Sequence, residues 1–209
     1  MTGDERSLDG AYALKTPEDS INLYRGWAET YDTDFAESHG YVVPQQIAAL
    51  FHQEGGQGPV LDIGAGTGLV GAALGELDVD GIDISQEMLD VAGAKGLYRN
   101  RICADLTGPL DIPDQAYSGF TSAGTFTHGH VGPVCLPELT RIARPDALFV
   151  IAINEQIFDQ AGFGSAFAAL VAGGAISPVS FRHVRYYEDA DHAHADDMGL
   201  VAIFRRSAS

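Results

Sequence analysis

Short apolar runs alternate with amphipathic helical patterns through the middle of the chain. Each run ends in glycine or polar residues, which is typical of buried strands, and the runs cover residues 60–63, 79–84, 101–104, 119–122 and 148–154. The spacing of apolar residues between them predicts helices over 69–77, 86–94 and 136–143. Ser85 stands where the second of these helices needs its N-cap. Strands and helices in alternation predict a parallel sheet covered by helices.

The C-terminal part of the chain departs from this alternation. A single helix is predicted over 156–171, although Gly162 and Gly164 weaken its middle. Two strand-like runs follow, 179–187 and 200–204, and the acidic loop between them has no helical spacing, so they should pair as an antiparallel hairpin. The sequence therefore predicts an α/β fold, with a doubly wound, mostly parallel, seven-stranded sheet whose last strand is antiparallel.

The N-terminal part of the chain is also predicted to be helical. Residues 16–35 begin with Thr16 as an N-cap and Pro17 at the first helical position. Apolar and aromatic residues follow at helical intervals, at Ile21, Tyr24, Trp27 and Tyr31. A second, shorter helix is predicted over 46–51.

The size and composition of the chain fit one domain with a single core. It has 209 residues, of which 45% are hydrophobic. The clearest break is the glycine-rich stretch at 55–59. We therefore assign residues 1–54 to an N-terminal helical segment and residues 55–209 to the sheet, with both parts in the same domain.

Charge and composition exclude several classes of protein. The 12 basic residues stand against 29 acidic ones, a net charge of −17, which repels phosphate backbones and predicts that the chain does not bind nucleic acid. The N-terminus has no apolar run typical of a secretory signal, and no stretch reaches the roughly 18 apolar residues that span a bilayer. The two cysteines, Cys103 and Cys135, are too few for a disulfide scaffold. We therefore expect a cytoplasmic protein without a membrane partner.

The stretch VLDIGAGTG at 60–68 carries the clearest sign of ligand binding. It leads from a predicted strand into a predicted helix, and its glycines allow a ligand to approach the backbone closely. We expect Gly64, Ala65 and Gly66 to contact a small ligand.

Two ligands are compatible with this loop. Gly66, Gly68 and Gly71 satisfy the G-x-G-x-x-G pattern of dinucleotide folds, and Asp83 lies near the spacing at which such folds hold a ribose. An NAD(P)-dependent oxidoreductase is therefore one hypothesis. However, Asp62 places a carboxylate beside the loop, where a diphosphate would be repelled and an ammonium group attracted. The charge of Asp62 favours S-adenosylmethionine, whose amino-acid part carries an ammonium group.

Several motifs resemble those of the class I S-adenosylmethionine-dependent methyltransferases. They are VLDIGAGTG (60–68), GIDIS followed by MLDVA (81–92) and ICADL (102–106). Two further segments, GWAETYDTD (26–34) and GTFTHGHVGP (124–133), resemble the methyltransferase-like subgroup named after the Williams-Beuren syndrome region. The resemblance covers the chain from about Asp19 to Arg206. It implies the Rossmann-like methyltransferase fold, S-adenosylmethionine as cofactor and an N-terminal helical lid over it.

The remaining cofactor residues follow from strand ends and from this resemblance. Asp83 closes the second strand, where its carboxylate can accept hydrogen bonds from two ribose hydroxyls. The resemblance implies that Ile84 and Met88 form an apolar floor for adenine, although both residues would also suit plain core. It further implies that the Asp105 side chain accepts a hydrogen bond from the adenine amino group and that the backbone N–H of Leu106 is a hydrogen-bond donor to adenine.

Two more residues complete the predicted cofactor site. In the resembling proteins the N-terminal helix folds over the cofactor, so Tyr31 is expected to contribute an aromatic ring to the pocket. Those proteins often carry an acidic residue near the end of the fourth strand, where this chain has Ser122. The missing carboxylate leaves open a second alternative, a protein that binds S-adenosylmethionine without catalysis.

His128 is the candidate for the reaction itself. It lies in the loop after the fourth strand, where an imidazole could take a proton from a methyl acceptor or hold that acceptor in place. The alternative is that His128 is a loop residue that only forms a hydrogen bond with the backbone. No histidine spacing matches a zinc signature, so no metal is predicted. We expect methyl transfer to a small-molecule acceptor, and the sequence predicts no oligomeric state.

Overall fold

The computed structural model describes residue 28 and residues 30–32, 40–188 and 198–208. Most of the predicted helix over 16–35, including Trp27, lies outside the described residues. The acidic loop with His192 and His194 also lies outside them.

The described part of the chain alternates strands and helices over most of its length. In chain order the elements are α1 (Val43–Gln53), β1 (Val60–Ile63), α2 (Leu69–Leu74), β2 (Val79–Asp83), α3 (Gln86–Ala94), β3 (Arg101–Cys103), β4 (Tyr117–Phe126), a 3-10 turn (Pro133–Cys135), α4 (Leu136–Ile142), β5 (Ala143–Asn154), α5 (Glu155–Phe158), α6 (Phe163–Ala172), β6 (Ser180–Arg185) and β7 (Met198–Arg205).

The strands form one sheet in the order β3-β2-β1-β4-β5-β7-β6. Strands β1 to β5 are parallel, whereas β7 is antiparallel to both β5 and β6. The predicted hairpin and the predicted mostly parallel, seven-stranded sheet are therefore confirmed. The chain order reverses between β1 and β4, and in such sheets ligands bind outside the carboxyl ends of the strands at that point.

The core lies on both faces of the sheet because successive residues of a strand point to opposite sides. In β5, Leu148 and Val150 pack on one face with α1, while Phe149 and Ile151 pack on the other. On the second face the ring of Phe149 stacks on Phe120 of β4 and on Phe204 of β7, with centroids 4.2 and 4.6 Å apart. These stacked rings join β4, β5 and β7 on that face of the sheet.

The predicted boundaries of α3 are correct, and its capping residue explains why. Ser85 accepts a hydrogen bond from the backbone N–H of Met88, so α3 begins at Gln86 as predicted. The single helix predicted over 156–171 is wrong. Gly162 has a φ of 82°, a left-handed conformation that glycine adopts without strain, and it separates α5 from α6.

The predicted end of the fourth strand is also wrong. The run at 119–122 is only the middle of β4, which continues through a bulge to Phe126. Ser122 therefore lies inside the sheet, and the residues at the strand's carboxyl end are Ala123 to Phe126. A bulge of this kind re-aims the chain beside a crevice.

Candidate functional site

A deep cleft opens at the carboxyl ends of β1 to β4. It encloses about 1000 Å³ with its open mouth included. Its walls are the glycine loop, the ends of β2 and β3, the bulged end of β4, the loop after β4 and parts of the N-terminal segment. The residues that line it are Tyr31, Tyr41, Pro44, Gly64–Thr67, Leu69, Val70, Asp83, Ile84, Met88, Ala104–Thr107, Ala123–Thr125 and Gly129–Val131.

The glycine loop is packed tightly against the end of β4. Gly64 has a φ of 66°, and a Cβ there would lie 1.9 Å from Oγ1 of Thr125, so only glycine fits. The same Thr125 hydroxyl donates a hydrogen bond of 2.7 Å to the carbonyl of Ile63. Gly64, Ala65 and Gly66 all line the cleft, where the sequence places them.

Asp83 lies at the end of β2 and faces the cleft. Its Oδ2 accepts a hydrogen bond of 2.8 Å from the N–H of Gly66, and its Oδ1 accepts one of 2.9 Å from the N–H of Ser85. Burial raises the pKa of Asp83, although these backbone donors oppose the shift. A carboxylate has about four acceptor sites, so the held side chain keeps capacity for a ligand's hydroxyl groups.

The end of β3 contributes a second carboxylate to the cleft. Oδ1 of Asp105 accepts hydrogen bonds of 2.8 Å from both the N–H and the hydroxyl of Thr107, which fix this exposed side chain in a turn. Leu106 and Ile84 line the same wall. The structure therefore brings together nine of the residues predicted for the cofactor: Tyr31, Gly64, Ala65, Gly66, Asp83, Ile84, Met88, Asp105 and Leu106.

Asp62 does not reach the cleft. Its side chain is 1% exposed and lies behind the glycine loop, where Oδ2 accepts a hydrogen bond of 2.6 Å from the Tyr98 hydroxyl. Oδ1 accepts one of 3.2 Å from Thr121. Burial raises the pKa of Asp62 to about 7, despite both hydrogen bonds. In this position the Asp62 carboxyl does not line the cleft, so the structure does not support the predicted direct contact with a ligand's ammonium group.

Tyr98 is the residue that sequence reasoning missed. A Cβ at Gly68, Gly71 or Gly81 would lie within 2.8 Å of the side chain of Leu97 or Tyr98, and at Gly71 the nearest atom is 2.5 Å away in the Tyr98 ring. Two of the three glycines in the G-x-G-x-x-G pattern, Gly68 and Gly71, thus leave space for the side chains of Leu97 and Tyr98 rather than for a diphosphate. The third, Gly66, gives its N–H to Asp83. Nothing in the glycine spacing distinguishes an internal aromatic ring from a ligand.

Two other predicted residues also lie outside the cleft lining. Ser122 is fully buried, and its hydroxyl donates a hydrogen bond of 2.8 Å to the carbonyl of Ile63, which is a contact between neighbouring strands. His128 is half-buried in the loop after β4 but does not line the cleft, whereas His130 does. Burial lowers the pKa of His130 to about 4, although a hydrogen bond with the backbone of Gly124 opposes the shift.

The described part of the N-terminal segment is tied to the glycine loop. Tyr31 lines the cleft, and the neighbouring Asp32 forms an ion pair with Lys95 at the end of α3. Oδ1 of Asp32 also accepts a hydrogen bond of 2.5 Å from the Thr67 hydroxyl, and Lys95 donates one of 2.8 Å to the Thr67 carbonyl. This contact holds residues 30–32 beside the glycine loop, at one wall of the cleft.

Two other kinds of feature, a metal centre and a membrane span, are absent from the described ranges. No group of three or more His, Cys, Asp and Glu side chains there is arranged to hold a metal ion. Among the same residues, no helix has both the length and the apolar character to cross a membrane.

Comparison with known proteins agrees with the geometry of the cleft. Residues 61–151 match a family model described as a methyltransferase domain. No curated protein matches the chain.

Solved structures share the fold at low sequence identity. A methyltransferase dependent on S-adenosylmethionine from Aquifex aeolicus is 20% identical, with a TM-score of 0.58 over 86% of this chain and 97% of that one. A Burkholderia thailandensis 1,6-didemethyltoxoflavin-N1-methyltransferase with bound S-adenosylhomocysteine is 18% identical, with a TM-score of 0.60 over 93% and 92%. The [4+2]-cyclase SpnF is 14% identical, with a TM-score of 0.67 over 93% and 97%.

The residues of the cleft fit S-adenosylmethionine. Asp83 offers a held carboxylate for a ribose diol, and the side chain of Met88 lies under the glycine loop, 3.7 Å from the position of a Cβ at Gly66. No lysine or arginine of the described chain lines the cleft, which disfavours a dinucleotide diphosphate. Residues 61–151 therefore match a methyltransferase domain, the chain has the fold of S-adenosylmethionine-dependent methyltransferases of known structure, and its cleft fits S-adenosylmethionine as the cofactor.

Proposed function

We propose that this protein transfers a methyl group from S-adenosylmethionine to a small-molecule acceptor by in-line displacement. The observation that carries the proposal is the composition of the cleft. Its β2 and β3 side presents two carboxylates and an apolar floor, and its β4 side presents uncharged groups. One side thus suits the nucleoside part of the cofactor, and the other leaves room for a second molecule.

Each residue on the β2 and β3 side has a role in this proposal. Asp83 would accept hydrogen bonds from the two ribose hydroxyls, and Gly64, Ala65 and Gly66 would contact the amino-acid part through their backbone. Asp105 and the N–H of Leu106 would hold adenine against Ile84 and Met88. Bound there, S-adenosylmethionine supplies a methyl group made electrophilic by a sulfonium. The protein then has to align the acceptor and exclude water from it.

The N-terminal segment is suited to the second task. Tyr31 stands in the wall of the cleft, and the contact of Asp32 with Thr67 and Lys95 holds it there. The helical lid predicted over 16–35 would extend this cover. We also propose that residues 1–54 form the N-terminal helical segment and residues 55–209 the cofactor-binding part of the same domain. The resemblance to the Williams-Beuren subgroup also remains a proposal, since its first motif, 26–34, lies mostly outside the described residues.

A small acceptor fits both the dimensions and the charge of the protein. The cleft is concave and mostly apolar, and a net charge of −17 disfavours nucleic acid. The 1,6-didemethyltoxoflavin-N1-methyltransferase of similar fold acts on a small molecule. We also propose a cytoplasmic location, because Cys103 and Cys135 are both free and one of them is exposed, which suits a reducing compartment.

Isothermal titration with S-adenosylhomocysteine tests the proposal. We expect micromolar binding to the full chain, together with formation of S-adenosylhomocysteine from S-adenosylmethionine when an acceptor panel of phenols, amines, thiols and carboxylic acids is supplied. NADH is the matched control, and we expect it to produce no heat. A folded protein that binds NADH and not S-adenosylhomocysteine would contradict the proposal and favour the oxidoreductase hypothesis.

A second candidate is a protein that binds S-adenosylmethionine without transferring its methyl group. Two observations favour it: no carboxylate stands among the described residues on the β4 side of the cleft, and a protein of similar fold is a [4+2]-cyclase. Tight binding of S-adenosylhomocysteine with no methylated product across the panel would support this candidate.

A further inference from the structure

The β4 side of the cleft has its own distinct chemistry. We call it the acceptor end and define it as the lining residues Tyr41, Ala123–Thr125 and His130–Val131. Two polar side chains meet there at Gly124. The Tyr41 hydroxyl is 3.3 Å from the position of a Cβ at Gly124, and the His130 ring forms a hydrogen bond with the Gly124 backbone.

The bulge at the end of β4 creates this meeting point. Gly124 has a φ of 88°, so the chain turns there in a conformation that glycine adopts without strain. A side chain at this position would also press against the Tyr41 hydroxyl. Glycine at this position therefore allows the turn and leaves space between Tyr41 and His130 that a side chain would fill.

Among the described residues, the acceptor end carries no formal charge that could bind an ionic group. In the part of the chain that the structure describes, the charged residues that line the cleft are Asp83 and Asp105, at the ends of β2 and β3. The nearby Lys95 is held by Asp32 and by the Thr67 carbonyl. A carboxylate or phosphate on the acceptor would lose its water without gaining a cationic partner, which is costly in a partly enclosed site.

The hydrogen bond to Gly124 determines what His130 can offer. A backbone carbonyl accepts this hydrogen bond from a ring N–H, so the donating nitrogen carries the hydrogen and the other ring nitrogen carries the lone pair. Burial keeps the ring neutral by lowering its pKa to about 4. A nitrogen of such low basicity accepts a hydrogen bond from O–H or N–H and does not remove the proton in advance.

We propose that the acceptor end binds an uncharged, mainly apolar acceptor, such as a phenol or an azole, whose O–H or N–H donates to His130 beside the Tyr41 hydroxyl. This inference rests on the proposed function and gives His130 the role that the sequence assigned to His128. During transfer the acceptor's oxygen or nitrogen forms a bond to the methyl carbon as the carbon–sulfur bond breaks, and that electron pair stays on sulfur. The acceptor's proton passes to His130 and then to water.

Nuclear magnetic resonance of the full chain labelled at histidine tests this inference, with S-adenosylhomocysteine at saturation. The probes are phenol and benzoate, which have the same ring and differ in charge. We expect phenol to shift the ring signals of His130, assigned with H130Q, and benzoate to shift them at least fivefold less at equal concentration. We expect H130Q to weaken phenol binding at least fivefold with the affinity for S-adenosylhomocysteine within twofold of wild type. H128Q is the matched control and should bind phenol as wild type does.

The outcomes separate this inference from the proposed function. A chain that does not bind S-adenosylhomocysteine would refute the proposed function. A chain that binds it but shows no response of His130 to phenol, an equal response to benzoate, or equal losses in H128Q and H130Q would refute only the present inference. If H130Q does not fold, Y41F is the second variant to test. We expect Y41F to weaken phenol binding at least twofold. Unchanged phenol binding in Y41F would then count against the inference.

Discussion

The Tyr98 hydroxyl donates a hydrogen bond of 2.6 Å to Oδ2 of Asp62, and this pair forms the support behind the glycine loop. The Tyr98 ring occupies the space left open at Gly71, and the carboxyl of Asp62 is 1% exposed. Both groups therefore shape the loop from behind, while its front faces the cleft. A pattern that resembles a phosphate-binding signature thus serves internal packing.

Substitution of Gly71 tests this packing. A Cβ there would lie 2.5 Å from the Tyr98 ring, so we expect Gly71→Ala to lower the free energy of unfolding by about 1–3 kcal/mol through overpacking. Gly132→Ala is the control, because no atom lies within 4 Å of its added Cβ and its φ is −89°, and it should change stability by less than about 0.5 kcal/mol. Urea denaturation measures both. Equal stability of the two variants would show that Tyr98 does not fill this space.

The pKa of Asp62 predicts a dependence of stability on pH. Burial raises this pKa from 3.8 to about 7, so between about pH 4 and pH 7 the folded state keeps a proton that the unfolded state has lost. The free energy of unfolding contributed by this group therefore falls as pH rises through that window. Asp62→Asn lacks the titration. Relative to that variant, wild type should lose about 1–4 kcal/mol between pH 4 and pH 7.5, as measured by urea denaturation at each pH.

The comparison with Asp62→Asn isolates this effect from other groups. His130 acts in the opposite direction, since its lowered pKa stabilises the fold above about pH 6.5 and that stability is lost as pH falls towards 4. Both proteins contain His130, so its contribution cancels in the difference. Parallel pH profiles for the two proteins would mean that Asp62 is ionised at neutral pH.

The ribose role of Asp83 predicts a specific loss of cofactor affinity. Asp83→Ala removes a charged acceptor, so we expect binding of S-adenosylhomocysteine to weaken by about 1–3 kcal/mol, measured by isothermal titration. Asp90→Asn, on the exposed side of α3, is the matched control and should bind as wild type does. Because Asp83 also accepts from the N–H of Gly66 and Ser85, circular dichroism should first confirm that the variant is folded. Unchanged affinity would place the ribose elsewhere.

The ion pair of Lys95 with Asp32 predicts a weaker cover over the cleft when it is broken. Both side chains are about one-third exposed, at 33% and 29%, so the pair should contribute no more than about 1 kcal/mol. In Lys95→Met we expect faster hydrogen exchange in the peptide that contains residues 30–32. Arg182→Met on β6 should leave that exchange rate unchanged. Equal exchange in Lys95→Met and wild type would show that the segment is held by other contacts.

The sequence predicts the fold well because its signals are local. The strand Val60–Ile63 and the helix Gln86–Ala94 have the predicted bounds, since an apolar run and the Ser85 cap determine them without reference to distant residues. The helix predicted over 156–171 fails at Gly162, where the left-handed φ outweighs continuous apolar spacing. The extension of β4 to Phe126 depends on its pairing with β5, which the sequence of β4 alone does not show.

The candidate site is predictable where strand ends meet the loop and unpredictable where side chains turn inward. Asp83 and Asp105 reach the cleft because the carboxyl ends of parallel strands lie at one edge of the sheet. Asp62 is turned inward by Tyr98, which is 36 residues away in the chain. Likewise, the turn after β4 brings His130 rather than His128 to the cleft, and only the three-dimensional path of that loop distinguishes the two.

A crystal of the protein soaked with S-adenosylhomocysteine would show where the cofactor binds. We expect density in the cleft with both ribose hydroxyls within hydrogen-bond distance of Asp83, adenine beside Asp105, and the sulfur facing the acceptor end at Gly124. Density in another part of the molecule, or a ribose held away from Asp83, would contradict this expectation.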